Sequence, residues 1–151
     1  MKRRSKAPHQ TAITRKKLSL PAQYLLQRDL LKGDVLDYGC GRGDDVRRLG
    51  QALGVHDWSP VVGYDPHWRP NMPTKKFDTI MCNYVLNVII DPIQREEVLL
   101  HITSLLKPGG TAFITVRRDI TKGTASQCVV ILDEETLVHA KGKFETYRII
   151  V

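Results

Sequence analysis

Val35-Leu36-Asp37-Tyr38-Gly39-Cys40-Gly41-Arg42-Gly43 is a short apolar strand that breaks into three glycines at alternate positions. Glycines at 39, 41 and 43 remove the Cβ atoms that would hold a ligand away from the backbone, and they permit positive φ in the turn. The turn delivers the chain into a helix that starts near Gly43 or Asp44. That helix carries Val46, Leu49 and Leu53, spaced three and four apart as one buried helical face requires. Downstream, Val61-Val62-Gly63-Tyr64-Asp65 is a second apolar strand, and it ends in a carboxylate. Two such strands with a glycine turn describe a nucleotide-type pocket at the carboxyl edge of a parallel sheet.

The details of the turn narrow the ligand. A dinucleotide fingerprint reads G-x-G-x-x-G and sets a pyrophosphate on the helix N-terminus. Here the spacing is G-x-G-x-G, and the helix opens with Asp44-Asp45. Two carboxylates there suit the helix dipole and repel a phosphate. Asp65 stands 22 residues after Gly43, where an acidic side chain accepts hydrogen bonds from ribose hydroxyls. A ribose-bearing ligand without phosphate points to S-adenosylmethionine, with Asp37 facing its ammonium group directly or through water. The expected cofactor residues are Asp37, Tyr38, Gly39, Cys40, Gly41, Asp65, Pro66 and Asn83.

At these residues the chain resembles the class I S-adenosylmethionine-dependent methyltransferases. Residues 35–43 resemble their first motif and Gly63-Tyr64-Asp65 their second. Phe77-Asp78-Thr79-Ile80-Met81-Cys82-Asn83 resembles their fourth strand, and Val85-Leu86-Asn87-Val88-Ile89 the turn after it. Leu105-Leu106-Lys107-Pro108-Gly109-Gly110 is similar to their approach to strand five, so the likeness covers residues 33–117. A narrower likeness rests on His9-Gln10-Thr11-Ala12-Ile13-Thr14-Arg15, residues 37–46, Gly63-Tyr64-Asp65-Pro66 and residues 84–89. These resemble a methyltransferase family associated with DNA phosphorothioation, which implies a nucleic-acid setting without fixing the reaction. The chain departs from that family by ending soon after the fifth strand.

Composition sets the bounds. A chain of 151 residues is one domain with room for a core, and 42% hydrophobic with 26% charged residues is ordinary for a globule. No apolar run reaches membrane-spanning length, and the basic N-terminus lacks a signal core, so a cytoplasmic location and no membrane partner are expected. Cys40, Cys82 and Cys128 are widely spaced without C-x-x-C and read as buried, reduced thiols; no metal site is expected. The net charge of +7 is uneven: Lys2, Arg3, Arg4, Lys6, Arg15, Lys16 and Lys17 lie in residues 1–17 with no acid among them. Residues 1–17 are therefore expected as a basic flexible arm and residues 18–151 as the S-adenosylmethionine-binding domain. The arm is read as a contact for nucleic acid, with a solvated tail as the alternative; residues 11–15 of it are alternatively a cover over the cofactor. It holds no interleaved aromatics for stacking on bases.

The order of elements predicts an α/β fold: a Rossmann-like, doubly wound, mostly parallel sheet with a shortened third-strand region. Ser19 is the expected N-cap of an entry helix with Pro21 in its first turn and Leu20, Tyr24, Leu25 and Leu31 buried. Residues 66–76 hold three prolines and cannot carry a long helix, so the third strand is expected to be missing. A strand at 77–82, a helix over 92–106 with Val98, Leu99, Ile102, Leu105 and Leu106 inward, and a strand at 111–116 follow. Residues 128–132 and 144–151 are expected to pair as strands, with a short helix over 134–140 and the last strand antiparallel.

The candidate catalytic residues are Asn83 and Tyr84, at the end of the strand that begins at Phe77. Asn83 suits an acceptor amine or the adenine edge, or simply a turn; Tyr84 suits stacking on a base or adenine, or core packing. The [DNS]-P-P-[YFW] motif of exocyclic-amine methyltransferases is not met, because Tyr84 and Val85 stand where it has two prolines. Asn87 is placed to face the same pocket, and Arg117, Arg118 and Asp119 to anchor a phosphate or form a charged loop. The segment with His67, Trp68 and Arg69 is a candidate lid. Three functions fit: a methyltransferase acting on nucleic acid or something bound to it, a small-molecule methyltransferase, and a non-catalytic S-adenosylmethionine-binding regulatory module. The oligomeric state is left open.

Overall fold

The computed structural model describes residues 7–12, 16–53, 61–120, 123, 128, 130 and 132–151. Six strands form one sheet in the order β2-β1-β3-β4-β6-β5. These are β1 (Val35–Tyr38), β2 (Val61–Tyr64), β3 (Phe77–Asn83), β4 (Leu106–Arg117), β5 (Leu137–Lys141) and β6 (Phe144–Ile150). β1 pairs in parallel with β2 and β3, and β3 with β4. β6 enters antiparallel between β4 and β5.

Burial on both faces explains the near-continuous apolar runs of the central strands. Period-two alternation then divides each strand between two cores. Val35, Val61, Met81 and Phe113 pack against α1 (Leu20–Gln27) and α2 (Asp44–Leu53) through Ala22, Leu25 and Leu49. Leu36, Tyr38, Ile80, Cys82 and Ile114 pack on the other face, against Ile102 of α3 (Pro92–Ser104) and the following Leu105.

The helices begin where their caps are. The Ser19 side chain caps α1 by accepting from the Ala22 N–H, with Pro21 in the first turn. The Asp91 carboxylate caps α3 by accepting from the Ile93 N–H at 2.9 Å, again with a proline inside. No strand lies between β2 and β3. Residues 65–69 close in a tight bridge between Asp65 and Arg69, and the prolines carry the chain on without a helix. β2 is consequently an edge strand.

Three expectations are corrected. Leu20 is 58% exposed, because it is the first residue after the cap and the inward face of α1 begins at Pro21. The helix expected over 134–140 is one 3-10 turn, Glu134–Thr136, followed by β5; β6 offers a paired backbone edge that outweighs local helix preference. The hairpin partner of the last strand is therefore β5. Of residues 128–132, Cys128, Val130 and Leu132 lie in no strand, and 129 and 131 fall outside the described residues. Of the basic arm, residues 1–6 and 13–15 also fall outside them, while Lys16 and Lys17 are exposed.

Candidate functional site

The carboxyl ends of β1, β2 and β3 meet at one edge of the sheet, around a cavity of about 780 Å³. All eight expected cofactor residues line it: Asp37, Tyr38, Gly39, Cys40, Gly41, Asp65, Pro66 and Asn83. Tyr84 lines it too. Parallel strands bring these positions together because each contributes its last ladder residues and those just past them.

The glycine turn is held from below. The N–H groups of Gly39 and Cys40 both donate to the Tyr64 carbonyl, at 2.7 and 3.0 Å. Gly41 N–H donates to Asp65 Oδ2 at 3.0 Å. Gly39 and Gly41 take φ of 77° and 55°, where a side chain is strained. The two glycines differ in what a side chain would meet. A Cβ on Gly39 would collide with the Val85 methyl Cγ2, whereas one on Gly41 would meet only Ala12, with Cβ at 3.3 Å. Gly39 thus permits strand packing, and Gly41 permits close approach to the cavity.

The electrostatics favour a cation. Asp37 is buried at 4% exposure, and burial first, then the charges of Asp45 and Asp65, raise its pKa well above the usual carboxylate range; Arg69 offsets part of this. Asp44, Asp45, Asp65 and Glu97 also line the cavity, so a ligand ammonium is attracted and a phosphate repelled. Asp65 is partly committed: Oδ1 accepts from the N–H groups of His67 and Trp68 at 2.9 and 3.0 Å, and Oδ2 from Gly41. A carboxylate offers about four acceptor positions, so about one remains for a ribose hydroxyl. The Cys40 thiol is pushed up to about 12, by burial and then by Asp37 and Asp65, which removes it as a thiolate nucleophile at neutral pH.

Asn83 supplies the clearest sign that the cavity is built to hold a polar group. Both its amide atoms, Oδ1 and Nδ2, are buried and have no hydrogen-bond partner among the described residues. Leaving such groups unmet costs roughly 1–3 kcal/mol each, so the residue fits a bound group that offers both a donor and an acceptor. Tyr84, the next residue, has φ of 60°, which turns the chain sharply out of β3 while its N–H donates to Thr115 O at 2.9 Å. Non-glycine residues in this region cost on the order of 1–3 kcal/mol and collect at functional sites.

Several lining residues were not among the expected cofactor or catalytic residues. Pro8 and His9 come from a 3-10 turn, Pro8–Thr11, and Ala12 follows it against Gly41 of the glycine turn. The His9 ring stacks on His67 at 3.9 Å and 10°, and Trp68 Nε1 donates to His9 O at 3.3 Å. Arg42 sits 4.7 Å over the Trp68 ring. Of the expected lid, Pro66 and His67 line the cavity while Trp68 braces them from outside. Gln94, Glu97, Val98 and His101 form a stripe on α3 at i, i+3, i+4 and i+7, a spacing that would have found them. His101 Nδ1 lies 2.6 Å from the Tyr38 hydroxyl.

Other candidates stand apart. Asn87 is 1% exposed and does not line the cavity; its carbonyl instead accepts from Cys128 N–H at 2.8 Å. Arg117 and Arg118 do not line it either. Arg117 forks onto Asp119, with Nε and Nη2 at 2.8 and 2.5 Å from its two oxygens, and Arg118 Nε is 3.9 Å from Glu145. Of the two expected phosphate anchors, Arg117 is thus committed to a carboxylate, while Arg118 is exposed and stands 3.9 Å from one without a hydrogen bond to it.

A family model described as a methyltransferase domain matches residues 10–141. No curated protein matches the sequence. Among solved structures, the chain is similar to a protein from the conversion of a disulfide bond into a thioacetal group during echinomycin biosynthesis. Identity is 20% and TM-score 0.53, with 74% of this chain and 57% of that chain covered, so it spans little more than half of that relative. It is also similar to the Burkholderia thailandensis 1,6-didemethyltoxoflavin-N1-methyltransferase, bound to 1,6-didemethyltoxoflavin and S-adenosylhomocysteine. There identity is 19% and TM-score 0.58, with 87% and 76% covered. The magnesium protoporphyrin IX methyltransferase of Synechocystis PCC 6803, bound to S-adenosylhomocysteine, matches at 15% identity and TM-score 0.55, with 86% and 80% covered. At these identities the structures share the Rossmann-like fold.

Proposed function

The chain belongs to the methyltransferase-domain family, and from that premise we propose that it is an S-adenosylmethionine-dependent enzyme whose methyl acceptor lies on nucleic acid, or on something bound to it. For the cofactor, the carrying observation is the cleft itself: a glycine turn open to ligand, a buried carboxyl that favours a cation, and an amide with both atoms unmet. For the acceptor, it is the net charge of +7 with seven cations and no acid in residues 1–17. The likeness to the family associated with DNA phosphorothioation points the same way.

When bound, S-adenosylmethionine would supply a methyl group on a sulfonium, whose S–CH3 bond breaks as an acceptor lone pair attacks in line, with S-adenosylhomocysteine as the product. The chain's own part is alignment, which alone can lower a barrier by about 7–11 kcal/mol. Asp37 attracts the ammonium group and the remaining acceptor position of Asp65 takes a ribose hydroxyl. Asn83 holds the adenine edge or the acceptor, and Tyr84 stacks beside it. The proton displaced from a neutral amine acceptor leaves to solvent.

A small-molecule acceptor is the second reading. The observation favouring it is the Pro8–Thr11 turn across the cavity, together with the apolar lining of Val85, Val88, Ile89 and Val98. Calorimetry with S-adenosylmethionine and transfer of labelled methyl to DNA, RNA and a small-metabolite fraction decide between them. Label entering only the metabolite fraction overturns the nucleic-acid reading, and no cofactor binding overturns the enzyme assignment.

A further inference from the structure

β5 and β6 are joined through the turn Lys141-Gly142-Lys143, with Gly142 at φ of 67°. The sheet register places this turn at the same edge as the cleft. Asn83 pairs with Thr115, Thr115 with Thr146, and Arg117 with Phe144. Two strand spacings, about 10 Å, separate Asn83 from Thr146.

Cations converge there from three elements. Lys141 and Lys143 are exposed on the turn, and Arg118, also exposed, donates its N–H to Lys143 O at 2.9 Å. Arg28, after α1, lies 5.2 Å over the Tyr24 ring, and that ring is 4.2 Å from the ring of His139 in β5. The His139 imidazole is held below its ordinary range by burial, then by the charges of Arg28, Lys141 and Arg118. Arg28, Lys141 and Lys143 enter no ion pair among the described residues. The neighbouring acids are engaged: Asp119 by the Arg117 fork, and Glu145 by the Tyr147 hydroxyl at 2.9 Å with Arg118 beyond it. Exposed like charges held together by backbone geometry repel one another and are relieved by a polyanion.

We propose that Arg28, Arg118, Lys141 and Lys143 form a phosphate-contacting rim beside the cleft, which takes the sugar–phosphate backbone of a nucleic acid while its target group enters the cavity. This rests on the nucleic-acid reading above. It assigns register on the backbone to the C-terminal hairpin in addition to the N-terminal arm. Phosphate contacts of this kind position a strand without reading its sequence.

The test is oligonucleotide binding by fluorescence anisotropy across a salt series, with single-stranded and duplex probes. The full chain is compared with Lys141→Ala/Lys143→Ala and with a control, Lys75→Ala/Lys76→Ala, whose residues precede β3 at the opposite edge. Each lost phosphate contact lowers the salt slope by about one, so the hairpin variant should lose about two and the control none. Cofactor calorimetry should be the same in all three. A wild-type chain that binds neither probe overturns the nucleic-acid reading and the rim with it. Wild-type binding with the same slope in the hairpin variant overturns the rim alone.

Discussion

Ser19 and Asp45 are joined by two hydrogen bonds: the Ser19 N–H donates to Asp45 Oδ1 at 2.9 Å, and its hydroxyl to Oδ2 at 2.5 Å. Ser19 caps α1 and Asp45 is in the first turn of α2, so one carboxylate fastens the entry helix to the helix that follows the glycine turn. Both residues also line the cavity. Asp45 therefore serves three ends at once: the α2 dipole, the α1 junction and the negative field over Asp37.

Ser19→Ala removes the hydroxyl bond to a buried carboxylate together with the α1 cap. The expected cost is about 1–3 kcal/mol of stability, read as a lower urea midpoint at unchanged slope. Cofactor affinity per folded molecule should change little. A variant as stable as the parent would show the junction to be incidental.

Asp37 has a pH signature. Its folded pKa is raised above 3.8, so the folded chain keeps the proton to higher pH than the unfolded chain does. By linkage, stability of the ligand-free protein should rise as pH falls through the folded pKa, and level off near 3.8. Asp34, Asp78 and Asp119 act oppositely, being lowered by Lys107, Lys107 and Arg117 respectively, and they lose their contribution as pH falls below 3.8. Asp37→Asn should raise the Tm at pH 7 and abolish the acid-side gain. The same change should weaken S-adenosylmethionine binding by about 1.5–3 kcal/mol, the worth of a charged hydrogen bond. A lower Tm in this variant would contradict the desolvation argument.

Gly39→Ala and Gly41→Ala should separate packing from binding. Both force a side chain into positive φ, at roughly 1–2 kcal/mol. Gly39→Ala adds a collision with Val85 and should show the larger thermal destabilisation. Gly41→Ala presses on Ala12 and should lower cofactor affinity more than stability. Paired melting curves and calorimetry check the contrast, and equal effects in both variants would end it.

Cys40 should be chemically quiet. With its pKa pushed up to about 12, alkylation by iodoacetamide at pH 8 should be far slower than for an ordinary exposed thiol, and should accelerate only toward strongly alkaline pH. Cys40→Ala should retain methyl transfer. A fast-reacting Cys40, found by mass spectrometry of the alkylated peptide, would place a thiolate in the cleft after all.

Local chemistry wrote the half of the site that lies on consecutive residues. The alternating glycines after β1, the carboxylate closing β2 and the Asn83-Tyr84 exit from β3 were legible because each feature is set within a few residues. Parallel pairing then has only one edge at which to gather them. The missing third strand was legible too, since three prolines forbid the helix that would lead to it. What only the tertiary structure decided has a common cause, which is dependence on partners distant in sequence. β5 forms where a helix was expected because β6 offers it a backbone ladder, and His9 joins the cleft because His67 offers it a ring to stack on. Arg117, Arg118 and Asp119 left a phosphate anchor and a charged loop both open until the Arg117–Asp119 fork decided for the loop at Arg117, and the antiparallel insertion of β6 beside β4 is what brings Lys141 and Lys143 to the cleft's edge of the sheet. Sequence spacing specifies which groups a strand end carries; which of those groups are left free, and what stands next to them, is fixed by packing across the sheet.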